Sequence, residues 1–276
     1  MNIFDQMLSR YEIKTNDDYF NAQHEVMQQI ALAGLYRGGF FNKAAFYGGT
    51  CLRIFYASQR FSEDMDFSLL TKKVSFEFKE YFAPVRSEFK ALGRDIIISK
   101  KEKKKNTNVE SAFLKEDTSV YNLQFTTEKS IKIKIEVDTD PPSGFDTEHK
   151  LLLLPFSFMV RCYSLPDLFA GKIHALLFRS WKNRVKGRDW YDFEWYVRNN
   201  TRLNLFHLKH RIAQSGPMPS EGLSIEQIRK MLKDKIQQTK IELVKNDIRP
   251  FIKNQEEMEI WTTEYFMQLV DLIRSL

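Results

Sequence analysis

Apolar residues recur at helical spacing from Asp17 to about Tyr36, with Phe20, Val26, Met27, Ile30 and Ala31 on one broad face. Gly34 falls on that face and allows close packing, and Gly38-Gly39 ends the segment. The short run Ala45 to Tyr47 stops at Gly48-Gly49 and reads as a strand entering a turn. Leu52, Phe55 and Tyr56 then repeat at helical spacing. Ser75 to Leu92 reads as a helix interrupted near Pro84, and Ile96-Ile97-Ile98 as a strand. From Ile131 the pattern alternates strictly: Ile131, Ile133, Ile135 and Val137 share one face, Lys132, Lys134, Glu136 and Asp138 the other. Val120 to Thr126 is its expected partner across Glu128-Lys129-Ser130. After the break at Pro141-Pro142-Ser143-Gly144, Leu151 to Cys162 supplies one or two short apolar segments.

Helices dominate the rest. Ser164 is placed to cap a helix with Pro166 and Asp167 in its first turn and Leu168, Phe169, Ile173, Leu176 and Leu177 on its buried face. Further helices are expected over Leu205 to Ala213, Ser224 to Gln238, Thr239 to Asp247 and Glu256 to Leu276, the second opening on the capping-box pattern Ser224 to Gln227. Strands early and helices late predict an α+β chain, with a mixed sheet and flanking helices over residues 1–160 and a helical lobe over 161–276.

Three stretches carry candidate chemistry. In Asp64-Met65-Asp66 the strand period puts both carboxylates on one face, where they repel unless a cation joins them. Mg²⁺ suits such a pair, since it takes one or two carboxylates plus substrate phosphates. Gly48 and Gly49 permit close approach of an anion, and the following helix would aim its amides and the Thr50 hydroxyl at it. Each feature alone is common; together they suit a metal–triphosphate complex. Lys172 interrupts the apolar face between Leu168 and Leu176, so it either reaches an anion or snorkels along its own stem. As an unpaired buried charge, it would leave Lys172→Met at least as heat-stable as the parent. Arg179, Lys182, Arg184, Lys186 and Arg188, with Trp181 among them, read equally as a phosphate or RNA contact and as a solvated loop. Lys100 to Asn106 reads as a solvated hairpin tip in preference to a nucleic-acid contact, and neither His24 nor His174 is given a role.

The wording Gly48-Gly49-Thr50-x-Leu52, followed by Arg60-x-Ser62-x-Asp64-x-Asp66-Phe67, resembles the AbiEii/AbiGii toxin family, within the nucleotidyltransferases of the DNA-polymerase-β type. Ala170 to Leu176 is similar to the family's lysine motif, and Arg188-Asp189-x-x-Asp192 to its Arg-Asp-x-x-Asp motif. The resemblance spans about residues 44 to 197; Cys51 departs from it, standing where the family often has Ala or Ser. It implies transfer of a nucleoside monophosphate from an NTP, with pyrophosphate released and two Mg²⁺ ions in the site. Gly48, Gly49, Thr50, Arg53, Ser62 and Lys172 would hold the nucleotide. Asp64 and Asp66 would bind metal. A third carboxylate on a neighbouring strand would complete the metal site or deprotonate the acceptor; Glu136 is the choice and Asp138 the reserve, since spacing does not separate them. Lys172 and Asp189 would be catalytic with these three, Asp189 pairing with Lys172 or receiving a proton, and Asp192 would be a cap or an ion-pair partner. The resemblance also implies a growth-inhibiting toxin encoded beside a DNA-binding antitoxin, with tRNA as an acceptor in some relatives. An antibiotic-type small-molecule transferase and a non-catalytic nucleotide- or RNA-binding protein are the alternatives.

Composition adds little more. A net charge of +6 over 276 residues makes an anionic partner plausible without naming one. Cys51 and Cys162 lie in apolar surroundings and are expected as reduced, buried thiols, which points to the cytoplasm. Met1 to Arg10 lacks the basic start and apolar stretch of a secretory leader, and Leu151 to Val160 is too short to cross a bilayer, so no membrane partner is expected.

Overall fold

A computed structural model describes residues 2–73, 75–100, 118–125, 131–179, 185–216 and 218–276. Among these, seven strands form one mixed sheet: β1 (Ala44–Tyr47), β2 (Met65–Leu69), β3 (Ile96–Lys100), β4 (Thr118–Phe125), β5 (Lys132–Asp138), β6 (Thr147–Leu152) and β7 (Phe158–Tyr163). Their order across the sheet is β3-β4-β5-β2-β1-β7-β6. The β2–β5 and β1–β7 pairs are parallel and the others antiparallel. Ile131, Ile133, Ile135 and Val137 are all buried, as their period of two requires. The expected turn at Glu128 to Ser130 and most of the lysine-rich tract lie outside the described residues.

Helix α1 (Ile3–Leu8) precedes α2 (Asn16–Arg37), which carries a capping box between Thr15 and Asp18. Val26, Met27, Ile30 and Ala31 face the core, whereas Phe20 is 47% exposed, because it lies before the turn at which α2 meets the sheet. Helix α3 (Gly48–Tyr56) follows β1 directly, and α4 (Phe82–Ala91) packs along α2. Pro84 does not interrupt α4 but sits in its first turn, where an amide would have no helical acceptor; the break comes earlier, after a 3-10 turn at Phe78–Tyr81. A Cβ at Gly34 would stand 2.5 Å from the Val85 Cα, so α2 and α4 approach backbone to backbone there. Gly34→Ala should therefore lower stability by about 1–3 kcal/mol, read as a fall in the urea midpoint; an unchanged midpoint would mean α4 shifts freely.

The remaining helices are α5 (Leu165–Phe178), α6 (Gly187–Arg198), α7 (Leu205–Ser215), α8 (Ile225–Gln238), α9 (Ile241–Ile248) and α10 (Thr263–Asp271). Ser164 stands at the N-cap of α5, but its hydroxyl bonds the Asp167 carboxylate at 2.6 Å and caps no amide. The capping box at Ser224 forms as expected. The expected last helix is shorter than its apolar pattern: a 3-10 turn at Gln255–Met258 comes first, and Thr262 caps α10. Beyond α10, Arg274–Ser275 pairs in parallel with Arg202–Leu203, a two-stranded contact that helical periodicity does not reveal. Trp190 of α6 packs edge-on against Phe266 at 5.0 Å, and Glu194 accepts from Trp261 Nε1 at 2.9 Å, tying the C-terminal segment to α6. One hydrophobic cluster runs from Phe4 to Ile273 through sheet and helices alike. Among the described residues no helix is long and apolar enough to cross a membrane. Cys51 and Cys162 are buried and free.

Candidate active site

The β2–β5 register places Asp66 directly beside Glu136, and the β1–β2 register places Tyr47 on the other side of Asp66. Partnered residues on adjacent strands share a face, so Tyr47, Asp66 and Glu136 form one row across the sheet. Met65 points the opposite way into the core, fully buried, as the Asp-x-Asp spacing requires. Register also separates the two candidates for the third carboxylate. Asp138 pairs with Ser68, one step further along, and its carboxylate accepts the Asp140 amide at 3.1 Å.

Burial and the neighbouring Glu136 and Asp64 charges push the Asp66 carboxyl up to about 7, against opposing charges from Lys186 and Lys134. The Asp64 carboxyl is also raised, by burial first and then by Glu136 and Glu63, with Lys134 and Arg188 opposing. Crowded carboxylates of this kind form a hard-oxygen donor set that a divalent cation would relieve. Among the described residues no three His, Cys, Asp or Glu side chains are already gathered at metal-binding distance. The Glu136 carboxylate is ion-paired with Lys134 two residues before it.

The glycine turn joins this row to a second cluster. Gly48 has φ +79°, and a Cβ there would collide with the Asp66 carboxylate. A Cβ on Gly49 would collide with the Arg60 guanidinium. The two glycines thus make room for the chain's own side chains, which the anion argument alone did not anticipate. Arg60 is 3% exposed and grips the fully buried Asp192 with two nitrogens, NH2 to Oδ2 at 2.7 Å. Asp192 also meets Lys172 Nζ at 2.8 Å, and the same ammonium donates to Asp189 Oδ1 at 2.7 Å. Arg179 NH1 reaches Asp189 Oδ2 at 3.2 Å. Burial would raise both aspartates, yet the cations win: Lys172, Arg179 and Lys186 hold Asp189 well below the usual carboxylate range, and Arg60 and Lys172 hold Asp192 low. Lys172 therefore neither stands alone nor snorkels, and the expectation of an unpaired charge is overturned.

Several expected nucleotide contacts are committed inside the fold. Thr50 is fully buried, with its hydroxyl on the Asp64 carbonyl and 2.9 Å from Ser62 Oγ. Arg53 donates to Glu25 at 2.9 Å and to the Ser58 carbonyl at 2.8 Å. Gln28 Nε2, buried on α2, donates to the Ser62 and Glu63 carbonyls at 3.0 Å each, fixing the loop that leads into Asp64. Of the basic stretch, Lys182 and Arg184, with Trp181, lie outside the described residues. Arg188 is taken up by Glu63 at 3.2 Å and by the Phe251 ring at 4.2 Å. Lys186 forms no ion pair among the described residues, and burial and the Arg179 charge pull its ammonium down to about 8. Its charge lowers both Asp66 and Asp189. The following residue fixes its backbone: the Gly187 amide donates to Asp247 at 2.8 Å, and a Cβ on Gly187 would collide with the Val244 carbonyl of α9.

The family described as "Nucleotidyl transferase AbiEii toxin, Type IV TA system" matches residues 30–272. The chain belongs to the AbiEii family. It is a nucleotidyltransferase of the toxin type, and the match extends beyond the span of the quoted motifs on both sides. Among solved structures, JHP933 from Helicobacter pylori is similar at 17% identity over 91% of this chain and 90% of that one, with a TM-score of 0.53. A second Helicobacter pylori structure covers 90% and 92% at 18% identity, with a TM-score of 0.47. The likeness to JHP933 is one of fold, and it agrees with the mixed sheet and helices of this AbiEii chain. No curated protein matches.

Arg60 is the main residue that periodicity missed. Nothing in its spacing marks it, but it opens the Arg-x-Ser-x-Asp-x-Asp wording, and that position was the available signal. Lys134 shares the face of Glu136 by the same alternation and was equally legible.

Proposed function

We propose that this AbiEii protein transfers a nucleoside monophosphate from an NTP to an RNA acceptor, tRNA being the first candidate, with Mg²⁺ held by Asp64, Asp66 and Glu136. The observation that carries this reading is the unbroken run of contacts from Asp66 past Gly48 and Gly49 to Arg60, Asp192, Lys172 and Asp189. It sets a carboxylate row and a cationic cluster on either side of a turn that opens a helix. The bound cation would supply charge neutralisation on the triphosphate oxygens and draw together the attacking and leaving groups. The first amides of α3, at Gly48 and Gly49, face the same region and suit a phosphate. Lys186, which forms no ion pair among the described residues and sits on a fixed backbone, is assigned to the triphosphate. Lys172 acts beside it, with Asp189 and Asp192 setting its position. The family context makes an antitoxin the second partner.

A polynucleotide acceptor has a thermodynamic signature. Replacing Lys182 and Arg184 together by Ala should weaken RNA binding and flatten its dependence on salt, because fewer phosphate contacts release fewer counterions. Affinity measured over a series of salt concentrations checks this; an unchanged slope would exclude these two side chains from the acceptor path.

A further inference from the structure

The cationic partner of the carboxylate row has a place in the metal chemistry. Lys134 lies on β5 two residues before Glu136, on the face that carries Asp66, and its ammonium is ion-paired with Glu136. Its charge also bears on Asp64 and Asp66. Among the described residues no other basic side chain forms an ion pair with any of the three carboxylates. Once Asp66 is ionised, three carboxylates and one ammonium leave two net negative charges, which one divalent cation would balance. The ammonium and a cation cannot both occupy the same Glu136 oxygens.

We propose that Lys134 is a built-in counter-cation that holds Glu136 away from the metal until substrate arrives. Without nucleotide, Asp64 and Asp66 offer a cation two carboxylates, and Glu136 stays with Lys134. When the NTP brings its triphosphate charge, the ammonium can exchange Glu136 for a phosphate oxygen and release the third carboxylate. Divalent cations alone are then bound weakly, and tight binding waits for the nucleotide. This inference rests on the assignment of Asp64, Asp66 and Glu136 as the metal site.

Titration of the full chain with Mn²⁺ alone, following free Mn²⁺ by electron paramagnetic resonance, tests it. Lys134→Met should bind Mn²⁺ about tenfold more tightly than the parent, since a positive charge next to the site has gone. Lys134→Gln should do the same, which guards against poor folding of one variant. Lys134→Arg should resemble the parent, and adding Glu136→Gln to Lys134→Met should cancel the gain. If Lys134→Met binds Mn²⁺ no more tightly while Asp64→Asn still weakens binding, the metal site stands and the counter-cation is overturned. If Asp64→Asn leaves Mn²⁺ binding unchanged, the metal site itself fails and the inference falls with it.

Discussion

Lys172→Met should destabilise the protein by about 3 kcal/mol, the scale for breaking a buried ion pair by removing one partner. Methionine keeps the packing between Leu168 and Leu176, so the loss isolates the charge. Asp192 is fully buried and Asp189 nearly so; without the ammonium, their ion pairs among the described residues are with Arg60 and Arg179 respectively. Both aspartates are held below their ordinary value of 3.8 in the folded state. Their stabilisation is therefore complete above that value and disappears as the pH falls through the lower folded value. The gap between parent and variant should be full at neutral pH and narrow in acid. Urea unfolding at pH 7 and at pH 3 measures both quantities. Equal stability at pH 7 would mean that Lys172 is not a member of the buried network.

Asp66→Asn should remove transfer by at least about a hundredfold while leaving the fold intact, by analogy with losing one preorganised electrostatic group. In the protein without metal the Asp66 carboxyl is raised to about 7 by burial and by Glu136 and Asp64. A carboxyl raised on folding opposes the folded state increasingly as the pH rises from its ordinary value of 3.8 to the raised one, and fully above that. Asp66→Asn removes this opposition, so at pH 8 the variant should melt no lower than the parent. A variant that loses activity and also melts early would point to a structural carboxylate. Asp64→Asn should lose transfer similarly. Retained transfer in either folded variant would remove that residue from the metal site.

Much of this arrangement is legible in the sequence where the signal is local. The alternation of Ile131 to Asp138 gives β5 and both of its faces, and Asp-x-Asp spacing gives the shared face of Asp64 and Asp66. Spacing does not decide between Glu136 and Asp138, because both lie on one face; only the β2–β5 register brings Glu136 beside Asp66. The glycine turn is also visible, but its use is not. That Gly49 yields space to Arg60 depends on a pairing between positions 60 and 192, which no local pattern records. Lys172 was recognisable as an exception on an apolar stripe and Asp189 as a partner for it, while the second contact, to Asp192, became visible only when α6 was placed against α5. Arg53 and Thr50 carry a general warning. A polar residue beside a phosphate-type turn has the right chemistry for a ligand, yet Glu25 and the Asp64 carbonyl claim these two first.

The most direct measurement is incorporation of label from each α-phosphate-labelled NTP into total RNA with Mg²⁺, followed by sizing of the product. The account predicts label in an RNA band, concentrated in the tRNA region, with at least one NTP. That label should be absent with Asp66→Asn and absent when the divalent cation is chelated. Label that survives in Asp66→Asn, or no label in any RNA with the parent protein, would contradict it.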